Sequence, residues 1–221
     1  GREFPRRRVR AHAARLASVN LLVSTRNPGK LAEIKAIFSL PGLSLSSALD
    51  VPGFPDVEED GDTLEANDVK KARALALHSG RWTLADDTGL EVSALGGAPG
   101  VRSARYAGEE GNAVLNCIKL LAELGSAADR SAQFRTVIAL SDPSGECRCV
   151  GGGCHGVITE QARGEAGFGY DPLFQPDGYD ATFAEMDLGE KNRISHRARA
   201  LAAAREAWEA TLAAGADRWP V

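Results

Sequence analysis

Two adjacent carboxylates, Asp86 and Asp87, are followed by Thr88 and Gly89 and flanked by apolar residues. Neighbouring ionised carboxylates repel, and a raised pKa, solvent or an intervening cation resolves the conflict. A hard divalent ion held by one or two carboxylates leaves its remaining positions to water and phosphate oxygens. Asp-Asp-Thr-Gly is also good turn chemistry in its own right, so the motif alone does not decide. Trp82 to Ala85 is short, apolar and β-prone and reads as a buried strand. It would deliver Asp86 and Asp87 onto a turn marked by Thr88-Gly89. Leu90, Val92 and Ala94 would form the next strand, ended by Gly96-Gly97 and Pro99-Gly100.

Cations suited to such chemistry lie in other blocks. Val19 to Ser24 reads as a strand, and Thr25-Arg26-Asn27-Pro28-Gly29-Lys30 leads into Leu31, Ile34, Ile37 and Phe38 at helical spacing. Asn27 is a good N-cap and Pro28 suits the first helical position. A helix start of this kind offers N–H groups and a positive dipole end to an anion, with Arg26 and Lys30 adding charge. Glu58 to Glu65 is an acidic cluster entering a second helix, where Asp62 and Glu65 have capping-box spacing. On that helix Asn67 and Lys71, four apart, share a face. Near the end of the chain, Gly167-Phe168-Gly169-Tyr170-Asp171-Pro172 is a glycine-laced loop. Lys191 and Ser195-His196-Arg197 then precede a long Ala-rich helix reaching about Leu212. Ser195 as its cap would put His196 and Arg197 in the first turn, where cations oppose the dipole; an anion or a base acceptor would account for them.

The remaining elements frame these blocks. Asn112 to Leu124 is amphipathic through Val114, Ile118 and Leu121, reads as a packing helix and stops at Gly125. Ala132 to Leu140 and Glu146 to Val150 read as strands joined by a turn at Asp142-Pro143-Ser144-Gly145, and Gly151-Gly152-Gly153 is expected to let the chain bend. The length of 221 residues suits one domain. The first twenty residues hold six arginines and one glutamate, a net of +5. The other 201 hold 20 basic and 29 acidic side chains, a net of −9. Residues 1–18 are read as a dispensable Arg-rich extension and 19–221 as the working domain. An acidic folded part is a poor footprint for nucleic acid, and no apolar run approaches a membrane span. The four cysteines lack zinc-site spacing and read as free thiols of a cytoplasmic protein.

Taken together, these blocks resemble the inosine triphosphate pyrophosphatase family, the dITP/XTP diphosphatases, over Val19 to about Leu212. The resemblance rests on Thr25-x-Asn27-x-x-Lys30-x-x-Glu33, Gly61-x-Thr63 with Asn67 and Lys71, Ala85 to Leu90, Pro99-Gly100 with Ser103 to Gly108, Gly167 to Pro172, and Lys191 with Ser195-His196-Arg197. It implies an α/β fold with an elongated, mixed, twisted sheet, flanking helices and two lobes around a nucleotide-binding groove, usually as a homodimer. The implied reaction cleaves dITP, ITP or XTP to the monophosphate and pyrophosphate.

By the same resemblance Asp87 would bind Mg2+ (Mn2+ as a substitute) and accept a proton from water, with Glu59 sharing the metal and Asp86 in support. Thr25, Arg26, Asn27 and Lys30 would wrap phosphate, helped by Asn67, Lys71 and Thr88. Phe168, Gly169, Tyr170, Asp171, Lys191, His196 and Arg197 would form the base pocket, with a donor such as Arg197 facing the 6-oxo group. Thr88 in place of serine, Asp68 in place of a small residue and Arg102 in place of an aromatic depart from the family pattern. The rivals are the Maf-like pyrophosphatases, a non-catalytic nucleotide sensor and a nucleic-acid binder led by the arginine arm.

Overall fold

The computed structural model describes residues 19–54, 57–108 and 111–220. The Arg-rich extension lies outside them. In chain order the strands are β1 (Val19–Val23), β2 (Leu43–Ser47), β3 (Thr83–Val92), β4 (Pro99–Gly100), β5 (Ser131–Ser141), β6 (Cys147–Ile158) and β7 (Phe174–Pro176). The helices are α1 (Pro28–Ile37), α2 (Leu64–Ser79), α3 (Ala113–Leu124), α4 (Leu188–Ile194) and α5 (His196–Ala213). They flank one mixed sheet of order β2-β1-β3-β5-β6-β7, with β4 added to β3. The β1 strand pairs in parallel with β2 and β3, and the other pairings are antiparallel.

Strand β3 connects two cores. Its Leu84 packs with Leu21, Val23, Ile34, Phe38, Leu201 and Trp208. Its Leu90 and Val92 pack with Leu120, Phe134, Phe174 and Phe183. Each such buried side chain contributes about 1.5–3 kcal/mol, so both ends of β3 are pinned. Asp86 and Asp87 lie on the segment between them. The pairing of β1 with β3 ends at Val23↔Leu84, and β4 joins only from Leu90. One edge of β3 is therefore open to a cleft beside the two carboxylates.

Several local expectations are corrected. Asp86 to Gly89 is not a turn: β3 runs unbroken, with register from Thr83↔Ser141 to Val92↔Ala132. Pairing with β5 along the whole segment overrides its turn propensity. Gly89 is required by packing, because a Cβ there would lie 2.8 Å from the Gly100 carbonyl oxygen. The three glycines at 151–153 likewise lie inside β6 and make no bend. A Cβ on Gly152 would come within 2.2 Å of the Ala200 nitrogen, so even alanine would push α5 off the sheet. At α2 the cap is Thr63, accepting from Ala66 N–H at 3.1 Å, and Glu65 instead pairs with Arg135 at 2.6 Å; the Asp62–Glu65 capping box does not form. Helix α3 has its expected ends at Asn112 and Gly125. Its buried residues are Asn116, Leu120 and Leu124, however, while Val114, Leu115 and Ile118 are exposed at 70%, 40% and 58%.

Candidate active site

A cleft of about 890 Å³ opens beside β3, lined among others by Arg26, Lys30, Glu59, Lys71, Asp87 and Arg105. Local sequence explains the approach of each. The start of α1 is fixed by Asn27, whose side chain accepts from Gly29 and Lys30 N–H at 2.9 and 3.2 Å, with Pro28 in the first turn. This brings Lys30 Nζ to the Asp86 carbonyl oxygen, at 3.2 Å, beyond the last residue of β3 that β1 reaches. The segment expected to wrap phosphate is thus partly occupied by its own side chains. Thr25 Oγ1 also accepts from Asn27 N–H, so these N–H groups are engaged rather than open.

From the cleft inward runs a chain of six alternating charges, buried except for Lys30 at its outer end. Asp171 accepts from Lys191 Nζ at 2.7 Å, and the same ammonium donates to Glu33 at 3.0 Å. Glu33 pairs with Arg197, whose Nε donates to Asp86 at 2.8 Å. Asp86 Oδ1 lies 3.2 Å from Lys30 Nζ. Three acids face three bases, so the chain is neutral. Burial would raise the Asp86 carboxyl, but Arg197 and Lys30 overcome it and hold Asp86 well below the usual carboxylate range. Glu33 belongs to the quoted α1 motif, yet sequence reasoning assigned it no role. The only signal was its position one helical turn after Lys30.

A second cluster meets the cleft through Lys71, Glu59 and Asp87. Lys71 Nζ lies 3.3 Å from Asp68, 3.5 Å from Glu59 and 3.9 Å from Asp87. Three carboxylates around one ammonium leave an excess of two negative charges. Burial raises Asp87 against the pull of Lys71 and Lys30, and Glu59 and Asp86 raise it further. An excess of two, all in oxygen ligands, suits a divalent cation such as Mg2+. Among the described residues no group of three acidic, His or Cys side chains already converges as a ready metal cage. Arg105, which the motif analysis gave no role, donates to the Glu59 carbonyl at 2.7 Å and steadies that carboxylate's loop.

The structure moves several expected ligands off the cleft. Asn67 is buried, and its amide oxygen accepts from Gly61 N–H at 2.8 Å, so it clamps the acidic loop. Thr88 Oγ1 is shared with Thr136 at 2.7 Å and Arg197 at 3.2 Å. Tyr170 is a core residue whose hydroxyl donates to the Ser103 carbonyl. Asp171 accepts from Phe168 N–H, which shapes the glycine loop, and Gly169 takes φ +64° within it. Phe168 is half-buried, its ring centre 4.8 Å from Lys191 Nζ and 5.3 Å from Arg197 Cζ. Arg197 is fully buried, with Nε, Nη1 and Nη2 donating to Asp86, Glu33 and Thr88. It does not face the cleft as expected. Ser195 caps α5 as anticipated, accepting from Ala198 N–H, but this turns His196 into the core.

His196 stacks on Phe134 at 4.5 Å, and among the described residues its Nδ1 has no hydrogen-bond partner. Burial, then Arg197 and Lys191, push its pKa well below the ordinary value. Between that lowered pKa and about 6.5 the unfolded chain binds a proton that the folded chain refuses. This contribution is complete above about pH 6.5 and is lost as pH falls, at up to about 1.4 kcal/mol per pH unit. Asp68, Asp87 and Asp171, with raised pKa values, work in the opposite sense. Comparison with a His196→Phe variant isolates the histidine. Urea unfolding at neutral and mildly acidic pH should show a shallower acid loss in the variant; parallel profiles would refute the assignment.

The Ham1 family profile matches residues 21–207. The chain belongs to the Ham1 family. A dITP/XTP pyrophosphatase from Geobacter sulfurreducens is 52% identical over 184 residues, covering 82% of this chain and 92% of the relative. One from Desulforamulus reducens is 48% identical over 190 residues, covering 85% and 94%. The Ham1 protein of Staphylococcus aureus superposes with a TM-score of 0.79 at 39% identity, covering 87% of this chain and 99% of that one. A nucleoside-triphosphatase, or dITP/XTP pyrophosphatase, from Mycobacterium abscessus gives 0.69 at 42%, covering 84% and 97%. Membership in the Ham1 family sets aside the Maf-like assignment and agrees with the motif resemblance. Among the described residues no helix is long and apolar enough to cross a membrane, and all four cysteines are free.

Proposed function

We propose that this protein hydrolyses non-standard purine nucleoside triphosphates (dITP, ITP and XTP) to the monophosphate and pyrophosphate, clearing deaminated purines from the nucleotide pool. The observation that carries the reading is the cleft cluster of Glu59, Asp87 and Lys71, with Lys30 and Arg26 at the same opening. Asp87 and Glu59 would hold Mg2+, for which Mn2+ could substitute. When bound, the ion neutralises phosphate charge and lowers the pKa of water. Asp87 takes the proton of the attacking water. Lys30, Lys71 and Arg26 hold the phosphate chain, and Asp86 fixes Lys30.

The base stacks on Phe168, beside the corner where Lys191 and Arg197 lie. With Arg197 turned inward, the Lys191 ammonium is the nearer donor to the Phe168 ring; a donor there matches the 6-oxo acceptor of hypoxanthine and xanthine and opposes adenine's amine. An unpaired buried polar group costs roughly 1–3 kcal/mol, which disfavours dATP. We place this activity in residues 19–221 of a cytoplasmic homodimer that binds no nucleic acid. The exposed Val114, Leu115 and Ile118 of α3 support association, and a monomer in sedimentation velocity would remove the dimer. The deciding experiment measures pyrophosphate release from dITP, XTP, dGTP, dATP and dTTP with Mg2+. Turnover led by dITP and XTP is expected. Orthophosphate as product, or preference for dTTP, would overturn the reading.

A further inference from the structure

The seam where α2 meets β3 and β5 is built from small apolar residues, with Ala72, Ala85 and Ala139 packed together and Val69 against them. Into this seam the chain inserts a carboxylate. Asp68 is fully buried. Its Oδ2 accepts from the Asp87 N–H at 2.8 Å. Its Oδ1 lies 3.3 Å from Lys71 Nζ but has no hydrogen-bond donor among the described residues. Stability alone is a poor reason for such a group, because replacing buried ionic groups with well-packed apolar ones is often neutral or stabilising.

The geometry of Lys71 suggests another reason. Two of its three carboxylate partners, Glu59 and Asp87, line the cleft with it, and Asp68 does not. A divalent cation arriving between Glu59 and Asp87 repels the ammonium that now neutralises them. Asp68 is the partner to which Lys71 can retreat without leaving its charge unpaired. We propose that Asp68 is a positioning residue for the cation site, holding Lys71 at the rim so that a divalent ion settles on Glu59 and Asp87 without competition. This rests on the reading of those two carboxylates as the ion's ligands. With Asp68 neutral, Lys71 keeps only cleft carboxylates as partners and stays between them.

The test is direct Mn2+ binding, followed by electron paramagnetic resonance of the free ion, with no nucleotide present. Asp68→Asn should weaken Mn2+ binding about tenfold, equivalent to about 1.4 kcal/mol, without lowering the thermal unfolding midpoint. In a Lys71→Met background the same substitution should change binding by less than about twofold, because the competitor is gone. Asp68→Ala carries the same comparison should the asparagine variant fail to fold. Unchanged binding in Asp68→Asn, beside a wild type that binds, overturns the inference alone. A tenfold loss in both backgrounds also overturns it, since Asp68 would then act directly by its charge. A wild type that binds no Mn2+ overturns the cation site and this inference together.

Discussion

Asp87→Asn is expected to lower kcat for pyrophosphate release from dITP by about 10²- to 10⁴-fold, the range for losing a positioned general base. An amide cannot take the proton of the attacking water. It also removes one of the three negative charges around Lys71, so the requirement for added Mg2+ should rise as well. The fold should tolerate the change, because Asp68 bonds the main-chain N–H of residue 87 and not its side chain. The variant also relieves a carboxyl that burial, Glu59 and Asp86 already disfavour in its charged form. Initial rates at saturating Mg2+, read beside thermal unfolding, check this. A kcat within about threefold of wild type would remove Asp87 from the chemistry.

The largest effect on stability is expected at Arg197. Truncating it to methionine keeps much of the side-chain volume but leaves Asp86 and Glu33 facing each other without the guanidinium, both buried. Removing one partner from a buried ion pair costs about 3–5 kcal/mol, a large share of the roughly 5–15 kcal/mol that holds a domain together. Arg197→Met should therefore lower the urea midpoint strongly. Adding Glu33→Gln should recover part of the loss, because it removes one stranded charge. A loss below about 1 kcal/mol, or no recovery in the double variant, would mean that the ion chain contributes little to stability.

What could be read from the sequence was what depends on near neighbours. Asn27 with Pro28 starts α1 and Ser195 starts α5 because a cap needs only the next three residues. The continuation of β3 through Asp86 to Gly89 was hidden because its cause is β5, about fifty residues away, pairing with every position. Glu33 lies one helical turn after Lys30, but its partners Lys191 and Arg197 lie more than 150 residues on. The amphipathic pattern of α3 was plain, yet the pattern did not show that Leu120 and Leu124 are buried while Val114 and Ile118 are left exposed. The block at 195–197 identified the right residues with the wrong orientation: cations in the first turn of α5 suggested an outside acceptor, and the answer for Arg197 was internal, Asp86 and Glu33.

The six-charge chain has one more consequence, for how the protein responds to ionic strength. Dissolved salt screens charges that water reaches, over about 10 Å at 0.1 M. Asp171, Lys191, Glu33, Arg197 and Asp86 are closed to water, and only Lys30 at the end of the row is partly open. On the proposed function, added salt is expected to weaken the hold of Lys30 and the cleft cations on a triphosphate while leaving the interior row at full strength. In strong brine, nucleotide affinity should therefore fall before stability does.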